Sequence, residues 1–391
     1  MTSSPMLTGV RVVDMTSVVF GPFATQALAD LGADVIKVEA PEGDAFRFTG
    51  KPAATRGMGP GHMNLNRGKR SIALDLKREE DAAVMRDLVR FADIFIHNVR
   101  GDAIRRLGFG PDEARALNPA LIYVHCVGFG SGGPYADLQA YDDVIQAATG
   151  AVTLAGRVDG TGTPRYIPSL IADKVAGLLG AQAALAAYVH KLRTGEGQIV
   201  EVPMFEGFAH FMMVEHIGGL AFDPPNAPVG YARQIDPDRQ PFPTKDGWIS
   251  LVPYTVASWP IVFDVLGDRE FLTRPDLATP QLQFVNQGLI YRRTAELTPQ
   301  RTSADWVERF KAARIPCMAV RDLGAIMEDP HLQAAGFFSR RTHPSEGGYV
   351  QMRPPIRFEA YPPADPRPAP RIGEHGDEIR AELEALRRAR S

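Results

Sequence analysis

The stretch "VRVVDMTSVVFGPFATQALADLGADVIKVE" (10–39) decides the fold. Its two ends, "VRVVDM" (10–15) and "DVIKVE" (34–39), are short β-rich runs, while "PFATQALADLG" between them spaces its apolar residues as a helix does. Working outward, "SIALDL" (71–76), "DIFIHNV" (93–99), "LIYVHCV" (121–127) and "IVEVPMF" (199–205) read as further strands, with helical segments such as "EDAAVMRDLVRFA" among them. Alternation of this kind predicts an α/β fold: a Rossmann-like large domain whose mostly parallel sheet is covered by helices.

At "FDPPNAPVG" (222–230) proline and glycine accumulate, and the strand-like "GWISLVP" and the helical "VASWPIVFDVLG" and "SADWVERFKAAR" follow. We therefore expect a large-domain portion over 1–224, a smaller α+β domain over 225–325 and a C-terminal segment, 326–391, that returns to the large domain. That segment holds the strand-like "YVQMRPPIRF", a Pro-rich stretch (361–370) and the polar helix "GDEIRAELEALRRARS".

Charge is nearly balanced, 43 basic against 46 acidic residues, without a basic stripe interleaved with aromatics, which argues against nucleic acid as a partner. Both cysteines, Cys126 and Cys317, lie in apolar runs rather than in a spaced framework, so a reducing compartment and buried, unpaired thiols are expected. The first residues lack a basic segment followed by an apolar one, and no uninterrupted apolar span reaches ~20 residues. The expectation is a soluble cytoplasmic protein with no membrane partner.

"GFGSGG" (128–133) satisfies G-x-G-x-x-G after a strand, yet proline follows and no helix opens from its last glycine, so a turn that brings backbone close to a ligand fits better than dinucleotide binding. His210 and His216 are six apart, on different helix faces, and no metal site is expected. No G-x-S-x-G elbow occurs, and neither cysteine has a basic, exposed setting. "NLNRGKRS" (64–71) gathers Arg67, Lys69 and Arg70, either to meet phosphates or as a solvated turn. In "SLIADKVAGLLGAQAALAAYV" (169–189), one carboxylate, Asp173, heads an apolar helix that ends near Arg193. It is either an ordinary first-turn acid or a fixed nucleophile held ionised by the helix end, with Gly177 and Gly180 letting backbone or ligand approach.

Taken in order, "LTGVRVVDMTSVVFGPFATQALADLGADVIKVEAPEGD", "NLNRGKRSIALDLK", "DIFIHNVRGDAIRRLGFG", "GFGSGGPYADLQAYDDVIQAATG", "RTGEGQIVEVPMFEG" and "IPCMAVRDLGAIMEDPHLQAAGFF" resemble the family III CoA-transferases of the CaiB/BaiF type along nearly the whole chain. The resemblance implies that Asp173 attacks an acyl-CoA thioester, forming an aspartyl anhydride and then an aspartyl-CoA thioester. It implies CoA contacts from Val18, Val19, Leu74, Asp75, Lys77, Asn98, Val99, Arg100 and Arg106. Tyr141 and Asp142 would line the reaction site, and amides at Gly128 and Gly130 would help steady the oxyanions. No tightly bound cofactor is implied: coenzyme A and acyl-CoA are substrates, exchanged with a small carboxylic acid. An intertwined homodimer is implied too, with each site between the large domain of one chain and the small domain of its partner.

Departures narrow the choice. Ala40 stands where the family often has arginine, and Gly101-Asp102 replaces Pro-Gly. Val19 occupies the glutamine position of oxalate-using members, which disfavours oxalate. The related α-methylacyl-CoA racemases place histidine where Tyr141 stands; tyrosine is a poorer base at neutral pH, and His125, in the strand upstream, would require a different geometry. Racemisation is therefore the second reading, and a non-catalytic CoA-binding module the third.

Overall fold

The computed structural model describes residues 5–359, 361 and 366–390, so positions 362–365 of the Pro-rich stretch lie outside the described residues. Two compact units emerge: one drawn from 1–151, 166–213 and 330–391, the other from 152–165 and 214–329.

In the first unit, β1 (Arg11–Met15), β2 (Asp34–Glu39), β3 (Arg70–Ala73), β4 (Ile94–His97), β5 (Ile122–Val127) and β6 (Ile199–Pro203) form one sheet in the order 3-2-1-4-5-6. Every neighbouring pair is parallel. Successive side chains of a strand point to opposite faces, and both faces are covered, so the strands are apolar on both. Val12, Val35, Ile96 and Val124 pack against Phe20, Ala24 and Leu28 of α1 (Phe20–Asp30) and against Ala176, Ala181 and Ala184 of the helix Ile171–Thr194. Val13, Ile36, Phe95 and Tyr123 face the other way, toward Met85, Leu88 and Val89 of α2 (Glu79–Arg90) and Ile379 and Leu383 of the last helix, Gly376–Arg390.

The helix Ile171–Thr194 is long and apolar enough to cross a membrane by those two measures alone. Its small residues have a different use, because they let α1 lie close against it. A Cβ at Gly177 would stand 2.8 Å from the Phe20 carbonyl oxygen, and one at Gly180 would stand 3.2 Å from the Ala24 Cβ. The approach anticipated at these glycines is thus made by α1 of the same chain, by backbone at Gly177 and by a side chain at Gly180. Gly195, at a φ of 78°, ends the helix in the left-handed conformation.

The basic run at 64–71 is neither a phosphate cradle nor a solvated turn. Arg67 pairs with Asp30 at 2.6 Å, Lys69 with Asp14 at 3.1 Å, and Arg70 with Asp34, Glu378 and Glu382 at 2.6 to 2.9 Å, all three cationic side chains being buried. Each charge is spent on holding neighbouring elements together.

The second unit has its own antiparallel sheet, β7 (Phe242–Pro243), β8 (Trp248–Leu251) and β9 (Cys317–Ala319), and a core of Trp259, Phe263, Tyr291, Trp306 and Phe310. The hairpin of β10 (Phe338–His343) and β11 (Gly347–Met352) belongs to the first unit. Cys126 is buried as expected, whereas Cys317 is only half-buried, and both thiols are free. Burial pushes the Cys317 thiol up to about 11 and raises that of Cys126 further.

Candidate active site

Within the first unit, a cleft of about 800 Å³ opens beyond the carboxyl ends of the parallel strands. Strand order reverses between β1 and β4, so the loops leaving these two strands diverge toward opposite faces and leave a crevice between them. Ser17 and Val18 follow β1, Asn98, Val99 and Arg100 follow β4, and His125 through Gly128 follow along β5; all line the cleft together with Asp173. Arg100, Arg105 and Arg106, on or beside the short helix α3 (Gly101–Arg106), bring cationic charge to its lining, while Val18, Phe20, Phe129, Tyr141 and Met204 bring apolar surface.

Asp173 sits in the first turn of the helix Ile171–Thr194, which has no side-chain cap from Leu170. The cap comes from elsewhere: the Asp173 amide donates to Oδ1 of Asp142 at 3.1 Å, while Gln146 Nε2 donates to the other Asp142 oxygen at 2.6 Å. Asp142 thereby joins α4 (Asp142–Ala148) to the helix carrying Asp173, which we number α5. The Asp173 residue is only 6 % exposed. Burial, with the Asp142 charge adding to it, raises its pKa to about 7, against a smaller opposing effect from the Phe20 backbone. Desolvation therefore outweighs the helix end, which had been expected to keep this acid ionised.

Val18, another residue lining this cleft, has an uncommon backbone conformation, with a φ of 66°. That left-handed region is costly for a β-branched residue. Its amide donates to both oxygens of Asp44, at 3.1 and 3.2 Å. The preceding residue is clamped as well: the Ser17 amide donates to Asn98 Oδ1, and Asn98 Nδ2 donates back to the Ser17 carbonyl, both at 3.0 Å. Asn98 thus closes the crevice floor by stitching the end of β1 to the end of β4.

The chain matches CoA-transferase family III over residues 7–376. It belongs to that family. Among its relatives, the succinate–glutarate CoA-transferase of Agrobacterium fabrum is 32% identical over 98% of this chain and 97% of its own length. A formyl-CoA:oxalate CoA-transferase of Streptomyces avermitilis is 31% identical over 95% of this chain and 94% of its own. The crystal structure of a CAIB/BAIF family protein from Brucella suis superposes with a TM-score of 0.83 at 30% identity, covering 97% of this chain and all of that one.

Of the positions that the resemblance singled out, this family III enzyme brings Val18, Asn98, Val99, Arg100, Arg106, Gly128, Tyr141 and Asp173 to one cleft. The others lie elsewhere. Val19 is buried at the start of α1, and Leu74 is buried in the core on the α2 face. Asp75 and Lys77 form a turn after β3, two strands away from β1, in which the Lys77 amide donates to Asp75 Oδ1 at 3.1 Å. Asp142 stands behind the wall as the helix cap. The Gly130 amide donates to both oxygens of Glu206 at 3.0 and 3.1 Å, and the Ser131 amide to Glu201 at 2.9 Å. Both amides hold the glycine loop in place; Gly130 does so off the cleft, whereas Ser131 and Glu201 pair within its lining.

Sequence reasoning missed Arg105 and Glu201 as cleft residues, and it weighed His125 only as a strand residue in the wrong geometry. Arg105 carried a signal, since it adjoins Arg106 in "DAIRR". His125 did not, because only the sheet register brings a strand residue to the cleft mouth. Its Nε2 meets the Val99 carbonyl at 3.0 Å; a carbonyl can only accept, so that nitrogen bears the proton. Burial holds the ring's pKa below its usual value, which keeps it neutral.

Proposed function

We propose that this enzyme transfers coenzyme A from an acyl-CoA thioester to a free carboxylic acid, with Asp173 as covalent nucleophile. The observation that carries the reading is a buried carboxylate in the cleft at the strand-order reversal, with no cationic partner among the described residues and three arginines lining the same cleft. Arginines suit the phosphates of CoA, and the apolar residues of the lining suit an acyl group.

In the first step the Asp173 carboxylate attacks the thioester carbonyl, a C–O bond forms, and CoA leaves as thiolate, giving an acyl–aspartyl anhydride. The thiolate then attacks the aspartyl carbonyl and expels the first acid as carboxylate. A second carboxylate attacks this aspartyl-CoA thioester, releases the thiolate again and forms a second anhydride. Attack of the thiolate on its acyl carbon yields the new acyl-CoA and restores Asp173. Both bound intermediates hydrolyse in water, so the burial of Asp173 protects them. Its raised pKa leaves a usable ionised fraction at neutral pH and a more reactive, poorly solvated oxygen.

The relatives act, by their names, on succinate, glutarate, formyl-CoA and oxalate. For this chain we propose an acid less polar than oxalate, since Val18 and Phe20 line the cleft and Val19 lies buried beside them. We further propose a cytoplasmic, intertwined homodimer in which the small domain of the partner completes each site, with the large-domain portion at 1–224, the small domain at 225–325 and the returning segment at 326–391.

Incubation with an acyl-CoA and an isotopically labelled carboxylate tests the reading. New labelled acyl-CoA, together with hydroxylamine trapping on the peptide containing Asp173, supports it. Deuterium uptake at the α-carbon without transfer would favour racemisation instead, for which His125, in the same cleft, is the available base. Binding of CoA with neither reaction would leave the binding module.

A further inference from the structure

The turn from β1 into α1 is held by charges that never reach the cleft. Asp44 is buried, and besides receiving the Val18 amide it accepts from the Phe46 amide at 3.0 Å and from Lys37 Nζ at 3.1 Å. Lys37 is fully buried and also donates to the Thr16 carbonyl at 2.9 Å. On the far side of the same turn, Thr16 donates its amide to Asp14 Oδ1 at 3.0 Å, and Asn98 clamps Ser17. Residues 16, 17 and 18 are thus each gripped by a different side chain from β1, β2, β4 or the loops that follow them. Neither Asp44 nor Lys37 lines the cleft.

We infer that Asp44 is a positioning residue for the transfer reaction. It holds Val18 left-handed, and by doing so it fixes both the Val18 wall and the Phe20 backbone that interacts with Asp173. The physical argument turns on cost. A β-branched residue at positive φ costs about 1–3 kcal/mol and persists only where its surroundings enforce it. The enforcing contact is the charged acceptor that Val18 N–H meets, and a carboxylate can be kept buried there because Lys37 neutralises it. Without Asp44 the turn relaxes toward negative φ, and the chain that follows, beginning with Val19 and Phe20, swings relative to Asp173. The inference rests on the reading of Asp173 as the reacting group.

The simpler alternative is that Asp44 only caps the short helix Ala45–Phe48 and neutralises Lys37, which would make it a stability residue. Three variants separate the two. Asp44→Ala removes the acceptor of the Val18 amide, Asp44→Asn retains an acceptor oxygen, and both deprive Lys37 of the same anion. Val18→Gly removes the need for a clamp, because glycine takes positive φ freely.

We expect kcat for CoA exchange to fall about tenfold in Asp44→Ala and to change less than about threefold in Asp44→Asn, the scale that the strain energy sets, although the two lose similar thermal stability. Measured against Val18→Gly itself, adding Asp44→Ala should then cost less than about threefold. Equal losses in the Asn and Ala variants, or an undiminished tenfold loss in the glycine background, overturn the inference. If Asp44→Ala does not fold, a soluble Val18→Gly/Asp44→Ala protein as active as Val18→Gly supports it, and an insoluble or inactive one refutes it. Full exchange activity in Asp173→Ala would sink the mechanism instead, a result independent of these ratios.

Discussion

The amide of Asp173 donates to the carboxylate of Asp142 at 3.1 Å, so the helix that carries one acid is capped by the other. One contact has two effects: it satisfies an orphan N–H at the helix start and places a negative charge beside the Asp173 carboxyl. The cap and the acidity of Asp173 cannot be changed separately by removing the Asp142 side chain, but they can by neutralising it.

Asp142→Asn keeps an oxygen for the Asp173 amide and removes the charge. The pKa of Asp173 should fall from about 7 toward ordinary carboxylate values. In the wild-type enzyme kcat/KM should rise with pH through the neutral region as Asp173 ionises; in the variant this limb moves to lower pH. A pH profile of kcat/KM measures it, and an unmoved limb would show that the limb belongs to another group.

Asp173→Asn should abolish exchange yet stabilise the fold. The folded pKa lies above the unfolded value of 3.8, so folding favours the protonated form; that stability is full below about 3.8 and is lost as pH rises through about 7. The variant never ionises. Its melting temperature should exceed that of the wild type by a constant margin above about pH 7, and the margin should shrink toward pH 4. Thermal melts across this range check the sign.

Gly177→Ala sets two small effects against each other. Alanine favours a helix by about 1 kcal/mol, but its Cβ would sit 2.8 Å from the Phe20 carbonyl and 3.0 Å from Phe23, and such overpacking costs about 1–3 kcal/mol. The clash should win. We expect a lower melting temperature and slower exchange, because the displaced backbone is the one that interacts with Asp173.

Arg105→Ala/Arg106→Ala should raise KM for acyl-CoA by about tenfold or more with little change in kcat, as befits charge-assisted contacts to phosphate. An N-acetylcysteamine thioester of the same acid has no phosphates and should be unaffected. Equal losses on both substrates would place these arginines at the reacting end.

Periodicity read the sheet well and the charges poorly. β2 falls at 34–39 as expected, because its apolar run is bounded by clear breaks. β3 stops at Ala73, short of the expected 76, since Leu74 still bonds to the Glu39 carbonyl but the chain then turns through Asp75 and Arg78. Arg67, Lys69 and Arg70 looked exposed because their partners are remote in sequence, Asp14 and Glu382 among them. The same distance hides the cap that Asp142 gives Asp173, and with it the raised pKa. Asp173 itself was legible through family resemblance; its burial was legible only in part, from the alanines around it.

The terminal helix Gly376–Arg390 lays Ile379 and Leu383 over the α2 face of the sheet, anchored where Arg70 grips Glu378 and Glu382. During synthesis, the early strand that carries Arg70 must therefore wait for a partner 308 positions further along the chain before that patch of hydrocarbon is sheltered. A chain that lacks that helix is thus sticky on one side of its sheet, so truncation ahead of Gly376 should uncover an apolar patch and favour self-association rather than merely trim a polar tail.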